Sequence, residues 1–190
     1  MIALVAATGD RIAPIAAQRP PQRIVSLVPS VTEMLFLIDA GARVVGVSSF
    51  DHFPADVDRL PRVGALMDPD IEKILSLRPD LVITYGSQQD LATRLAKASV
   101  PVFSYRHGSL GDITVTLREL GRRLGSTSQA ENVAGRIERS LDDIRRRVSI
   151  EARPRVLLVI GREPRSLRAI NVGGGYGFLH DLLEVAGGTN

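Results

Sequence analysis

Short apolar runs recur along the chain at intervals that suit strands separated by helices. Arg23–Val28 (RIVSLV) follows a turn-like Arg19-Pro20-Pro21, and similar runs lie at Val44–Val47, Leu81–Thr84, Val102–Tyr105 and Val156–Ile160. Runs that are apolar on both faces belong to strands of a parallel sheet covered by helices. Between the runs the apolar period lengthens. Ser30-Val31-Thr32-Glu33 has the form of a capping box, with Gly41 as the stop of the helix it opens. Ile71, Ile74 and Leu75 share one helical face ahead of Pro79, and Leu91 and Leu95 mark a further helix. Ile113, Leu117, Leu120 and Leu124 then repeat at helical spacing. The alternation predicts an α/β fold: a parallel-sheet, Rossmann-like N-terminal lobe with right-handed crossovers.

From about Ser128 to Glu151 the pattern changes. Val133, Ile137, Leu141, Ile144 and Val148 form one stripe with charge on the other faces, and no proline interrupts it. Such a helix is roughly 30–35 Å long at 1.5 Å per residue, about the width of a small domain. After Pro154 come the run RVLLVIG, a second strand-like stretch Leu167–Val172, the loop Gly173-Gly174-Gly175-Tyr176-Gly177, and a helix carrying Phe178, Leu179, Leu182 and Leu183. The expected division is an N-terminal α/β lobe over 1–125, a long backbone helix over 126–152, and the start of a second α/β lobe over 153–190. Two strands and one helix bury little on their own. The second lobe therefore reads as incomplete, with more chain expected after Asn190 or a covering surface on another chain.

Composition narrows the function classes. A chain of 190 residues, 44% hydrophobic and 24% charged, holds one ordinary domain plus part of a second. All but Lys73 and Lys97 of the 24 basic residues are Arg, for a formal net charge of +3. Along Arg136, Glu138, Arg139, Asp142, Asp143 and Arg145 the signs alternate, which is a solvated helix face and not a nucleic-acid surface. The absence of cysteine excludes disulfides, thiolate metal sites and a cysteine nucleophile. No apolar run reaches the length of about 18 residues that spans a bilayer. Met1–Ala7 is apolar but short and lacks a basic lead, a poor signal peptide. Either the protein is cytoplasmic, or its signal is absent from this sequence.

Each candidate for chemistry has a plainer counterpart. The three histidines, His52, His107 and His180, lie far apart and fit surface or cleft positions better than a metal cluster. His107 alone is kept as a single axial contact to a ligand's metal. The glycine loop 173–177 precedes a helix, where backbone amides meet anions, but Phe178 takes the third-glycine position of a dinucleotide loop and no Walker lysine follows. An α/β enzyme or nucleotide binder built on that loop is the alternative from another class. There is no G-x-S-x-G elbow, and no catalytic residue is assigned. What remains is the carboxyl edge of the sheet, where open α/β folds bind ligands. It places Pro29 and Ser30, then Phe50, then Tyr85 and Gly86, then Tyr105, Arg106 and His107 at the strand tips, with Leu66 and Met67 beside them and Arg162 added by the second lobe. Apolar faces with a few cations make a pocket for a bulky, flat or partly anionic ligand.

On these residues the chain resembles the class III, helical-backbone solute-binding proteins of ABC importers, which serve cobalamin, haem and ferric siderophores. The similar stretches are RIVSLVPSVTEMLFLIDAG (Arg23–Gly41), VVGVSSFDHFP (Val44–Pro54), VGALMDPDIEKILSLRPDLVIT (Val63–Thr84) and FLHDLLEVAGGTN (Phe178–Asn190). The resemblance implies two lobes joined by one rigid helix, a ligand held between them, no resident cofactor and a permease as partner. It also implies a periplasmic or lipid-anchored location, and the stretch around Thr8–Arg11 looks like the mature N-terminal hairpin of that family. Among its cobalamin-binding members, aromatic side chains at the positions of Phe50, Leu66 and Tyr85 surround the corrin; here Leu stands where those members have Trp. Glu72 matches the acidic residue by which the first lobe docks on the permease, and its counterpart on the second lobe is expected beyond Asn190. A corrinoid is the first expectation for the ligand, with a ferric siderophore or haem as the nearest alternatives.

Overall fold

Four of the five apolar runs form one sheet. In the computed structural model, which describes residues 19–149, 152–166 and 168–190, β1 (Ile24–Ser26), β2 (Val44–Val47), β3 (Leu81–Tyr85) and β4 (Val102–Tyr105) pair in parallel in the order β2-β1-β3-β4. Helices cover both faces: α1 (Pro29–Leu37), α2 (Ile71–Ser76), α3 (Gln89–Lys97) and α4 (Leu110–Leu124), followed by the long α5 (Thr127–Val148). Alternation along each strand feeds the two layers. Leu81 and Ile83 pack with Leu35 of α1, Leu117 and Leu120 of α4 and Val133 of α5. Val25 and Val82 pack with Ile74 of α2 and Leu91 and Leu95 of α3 on the other side. Most of these side chains are fully shielded, each worth about 1.5–3 kcal/mol of burial for a Val, Leu or Ile.

The strand order fixes where a ligand can sit. The chain leaves β1 for β2 on one side and then crosses to β3 on the other, so the connections at the carboxyl ends of β1 and β3 diverge. That divergence opens a crevice at the switch point. The mixed α/β character and parallel sheet expected from the apolar pattern are therefore present.

Several local readings need correction. Ser30 does not cap α1. Val28 occupies the cap position, its carbonyl accepts from the amides of Val31 and Thr32 at 2.9 Å each, and Pro29 is the first helical residue. Proline's fixed φ favours that position, which moves the helix start two residues earlier. Gly41 does not stop the helix either; α1 ends at Leu37, and Asp39 takes the left-handed turn at φ 60°. The capping box that does form is at Ser109, whose amide and hydroxyl both donate to Asp112 (2.6 and 2.8 Å). The last apolar run departs most. Instead of a buried parallel strand, β5 (Val159–Gly161) is exposed and pairs antiparallel with β6 (Asn171–Val172). Leu167, expected to begin the second of these strands, lies outside the described residues, as do Met1–Ala7 and Thr8–Arg11.

Helix α5 is as long as its stripe predicts, 22 residues, about 33 Å at 1.5 Å per residue. Only its first half is covered: Ala130, Val133 and Ala134 are buried, whereas Ile144 is exposed. Arg118 of α4 ties the two helices with paired bonds to Glu131 (2.8 and 2.9 Å) and Glu138 (2.6 and 3.0 Å). The Arg118 guanidinium holds both carboxylates below their ordinary range. The charged face is solvated, as the alternating signs imply. Helix α6 (Phe178–Val185) then docks back on α4, where Asp181 accepts from the Leu110 amide at 2.7 Å.

Candidate functional site

The carboxyl edge of the sheet is built from four loops. The first follows β2 and holds Phe50 outward, 69% exposed. Its shape is set from inside: the Phe50 amide donates to Ser48 Oγ (3.2 Å), and Arg62 donates to the carbonyls of Ser48 (3.2 Å) and Asp51 (2.6 Å). The second loop carries Leu66 and Met67, both exposed, Met67 at 89%. Gln88 fastens it to the end of β3, taking the Tyr85 amide on Oε1 at 2.9 Å and donating to the carbonyls of Leu66 (3.0 Å) and Ala65 (3.4 Å). A third and a fourth loop follow β3 and β4. There the Gly86 amide donates to the Tyr105 carbonyl at 2.6 Å. The stem of Arg106 lies where a side chain at Gly86 would be, so the glycine admits the arginine.

At the tips of β3 and β4 three rings meet. His107 lies 5.8 Å from Tyr85 and 5.1 Å from Tyr105, the latter edge-on. These separations are typical of interacting aromatic pairs. Beside this trio is a hollow of about 160 Å³ lined by Ser30, Met34, Tyr105, His107, Gly108, Ser109, Ile113 and Phe178. A shallower hollow of about 360 Å³ adds Arg106 to His107, and another of about 460 Å³ runs between Leu66, Met67 and the start of α3. The edge is thus a row of adjoining recesses. Burial is the main cause that pushes the Tyr85 hydroxyl above its ordinary pKa, with neighbouring Asp51 and then Tyr105 adding to it.

The predicted site residues are sorted by this geometry. Ser30, Tyr105 and His107 share one recess, Arg106 and His107 another, and Leu66 and Met67 a third; Tyr85 joins the first through the ring contacts. Pro29 sits at the first turn of α1, and Phe50 stands on its own loop. Arg162 is not brought to them by any of these hollows. It is exposed in the loop after β5 and donates to the Ser166 carbonyl at 2.6 Å. Glu72 is exposed in the first turn of α2, one residue after Ile71, where a carboxylate also complements the helix dipole. The glycine loop is largely committed. The Phe178 amide at the start of α6 donates to Gly108, the Gly173 amide donates to Leu158, and Asn190 donates to the carbonyls of Gly173 and Gly174. A phosphate at that helix end would compete with Gly108.

Sequence reasoning missed Met34, Ser109, Ile113 and Phe178 as lining, because they reach the recess from α1, α4 and α6 and not from strand tips. Gln88 and Arg62 were missed as loop fasteners; both lie within or beside loops already singled out, and only their bonding partners reveal them. Among the described residues no group of three or more histidine or acidic side chains could hold a metal ion, which leaves His107 as a lone nitrogen at the groove.

Residues 24–190 match the family described as periplasmic binding protein. The chain belongs to this family. Among its relatives, a vitamin B12-binding protein of Pectobacterium atrosepticum is 29% identical over 156 residues, 78% of this chain and 56% of that protein. An uncharacterised ABC transporter substrate-binding lipoprotein of Bacillus subtilis is 27% identical over 184 residues, covering 93% of this chain and 57% of its own. Among solved structures, the periplasmic haem-binding protein of a Roseiflexus species, in apo form, superposes with a TM-score of 0.77 at 28% identity, over 89% of this chain and 65% of that one. The chain spans about half the length of the curated relatives it matches. Family and fold agree with the parallel sheet and long helix described above.

Proposed function

We propose that this chain gathers a bulky metal chelate, a corrinoid or a haem-like or ferric-siderophore compound, as the substrate-binding component of an ABC importer outside the cytoplasm. The observation that carries the reading is the unburied apolar edge of the sheet: Phe50, Leu66 and Met67 exposed on loops at the same carboxyl edge as the Tyr85–Tyr105–His107 rings. Large exposed apolar groups clustered at a crevice mark a binding surface. The names of relatives that bind vitamin B12 or haem support the same ligand chemistry. Affinity comes from apolar burial at about 25 cal/mol per Å², with Arg106 placing an anionic edge and His107 facing a metal's open position. No covalent step is needed, and the chain acts as a receptor and not as an enzyme.

In this reading residues 1–125 are the first lobe, 126–152 the connecting helix and 153–190 the start of a second lobe, whose exposed Arg162 would have to release the Ser166 carbonyl to reach a ligand. Pro29, Ser30 and Gly86 form the floor where backbone approaches closely. Glu72 is the first lobe's contact to the permease. The test is a titration of cyanocobalamin, haemin and a ferric siderophore into the longest natural form of the protein, read by absorbance and thermal shift. A ligand at a hundred times its Kd stabilises by about 2.7 kcal/mol. A flat melting curve and unchanged spectrum with all three would sink the proposal.

A further inference from the structure

Unsatisfied polar atoms gather along one edge of the molecule. Among the described residues, the buried side-chain oxygens with no hydrogen-bond partner are Ser30 Oγ, Thr84 Oγ1 and both oxygens of Asp51. These residues lie at or just beyond the carboxyl ends of β1, β3 and β2 respectively. Buried polar groups are nearly always paired, and a lone buried carboxylate is the costliest to leave so.

Asp51 is the extreme case, with 1% of its surface exposed. Groups from every neighbouring element surround it: Thr32 and Glu33 of α1, Ser48 at the end of β2, Arg62, and Tyr85 at the end of β3. Arg62 is the one cation acting on it among the described residues. Its guanidinium is already spent on the main-chain carbonyls of Ser48 and Asp51 and on the Asp58 carboxylate. The Thr32 hydroxyl, close enough to Asp51 to favour its ionised form, has a single proton, which Ser26 Oγ at 2.9 Å and the Val28 carbonyl at 3.3 Å compete for. Neither carboxyl oxygen has a hydrogen-bond partner, so an ionised carboxylate is only weakly stabilised at this point.

We infer that Asp51 is a positioning residue, held as a neutral carboxylic acid, that fixes the loop carrying Phe50 beside Tyr85. Ionising it places a bare charge between α1 and the loop and drives the carboxyl toward water, taking Phe50 out of register with the rest of the groove. Ligand capture therefore weakens as pH rises, although no ligand touches the carboxyl. Burial is the main cause that raises its pKa, and Thr32, Ser48 and Arg62 offset it only in part. The geometry of Asp51 stands by itself; the consequence for capture rests on the ligand reading above.

Asp51→Asn keeps the shape and removes the titration. Thermal melts of wild type and Asp51→Asn across pH 4–9 are expected to meet at acid pH and to separate as pH rises, the variant becoming the more stable. Affinity of the wild type for whichever of cyanocobalamin or haemin binds should fall by up to about tenfold per pH unit above the Asp51 midpoint, while that of Asp51→Asn follows a flatter course. Parallel melting curves or equal pH slopes of affinity each overturn the inference. If neither chelate binds at any pH, the ligand reading has failed, and the melts still decide Asp51. Should Asp51→Asn not fold, Asp51→Ser serves the same comparison.

Discussion

The sheet with its helices and the segment 153–190 are made from similar apolar residues, and they use them in opposite ways. In the first, Ile24, Leu35, Leu81, Ile83, Leu117 and Leu120 are wholly shielded. In the second, Leu157 is 68% and Ile160 62% exposed, and Val159, Ile170, Val172 and Tyr176 are exposed with them. A four-stranded sheet has two faces to cover, and α1 to α5 cover them. The β5–β6 ribbon has α6 nearby, and α6 spends its own contacts on α4 and α5. Apolar character therefore does not by itself place a residue inside; it needs an opposing layer. The fully shielded side chains lie within 24–134, and the distal segment packs on this region through α6.

That contrast can be broken at its strongest point first. Ile83→Ala and Leu120→Ala should each cost about 2–5 kcal/mol of unfolding free energy by urea titration, whereas Leu157→Ala and Ile160→Ala should stay within about 0.5 kcal/mol. Equal costs would show that the distal segment is as well packed as the sheet. The attachment of α6 is the next target. Asp181→Ala removes the bond to the Leu110 amide and should cost about 1.5 kcal/mol, the low end for a charged hydrogen bond. Hydrogen exchange should then show faster protons in α6 but unchanged protection in β1 and β3. Loss of protection throughout would mean that the segment and the sheet unfold as one unit.

On the binding side, Phe50→Ala and Tyr85→Ala should each weaken chelate affinity by about tenfold, near 1.4 kcal/mol. Phe50→Ala should do so with little change in Tm, because that ring is exposed. An equal loss from Tyr176→Ala, on the distal loop, would move the site away from the sheet edge. The smallest effect is expected at Arg118→Ala, which cuts the exposed α4–α5 tie, with a Tm loss below that of either core truncation. Its pH sign is definite. Glu131 and Glu138 have lowered folded pKa values, so their contribution is present above the ordinary carboxylate range and vanishes as pH falls through the folded values. Wild type and Arg118→Ala melts should therefore converge in acid.

The strands and helices of the first region were readable from the chain because each carries enough periodic apolar residues to show its own period. Helices at Ile71, Gln89, Leu110 and Thr127 begin within a few residues of where the pattern put them. Helix α1 was misjudged at both ends, since Ser30 and Gly41 have the right residue types for a cap and a stop. Pro29 and Asp39 were the residues that acted. The recess at Ser30, Tyr105 and Phe178 could not be read, because its walls come from three helices far apart in order. Nor could the isolation of Asp51: the letters SSFDHFP suggest an ordinary polar loop, and only the crowd of neighbours with their protons already assigned makes the carboxyl an orphan.

Local chemistry along the chain was enough to specify a parallel α/β sheet, a long amphipathic helix after it, and which loops would crown the strands. Periodicity and turn residues act over a few positions, so they survive in a linear reading. Which loops adjoin, which apolar run stays uncovered, and whether a buried acid finds a donor depend on what folds against what. Those outcomes are set by contacts between residues tens of positions apart, and only the folded chain contains them.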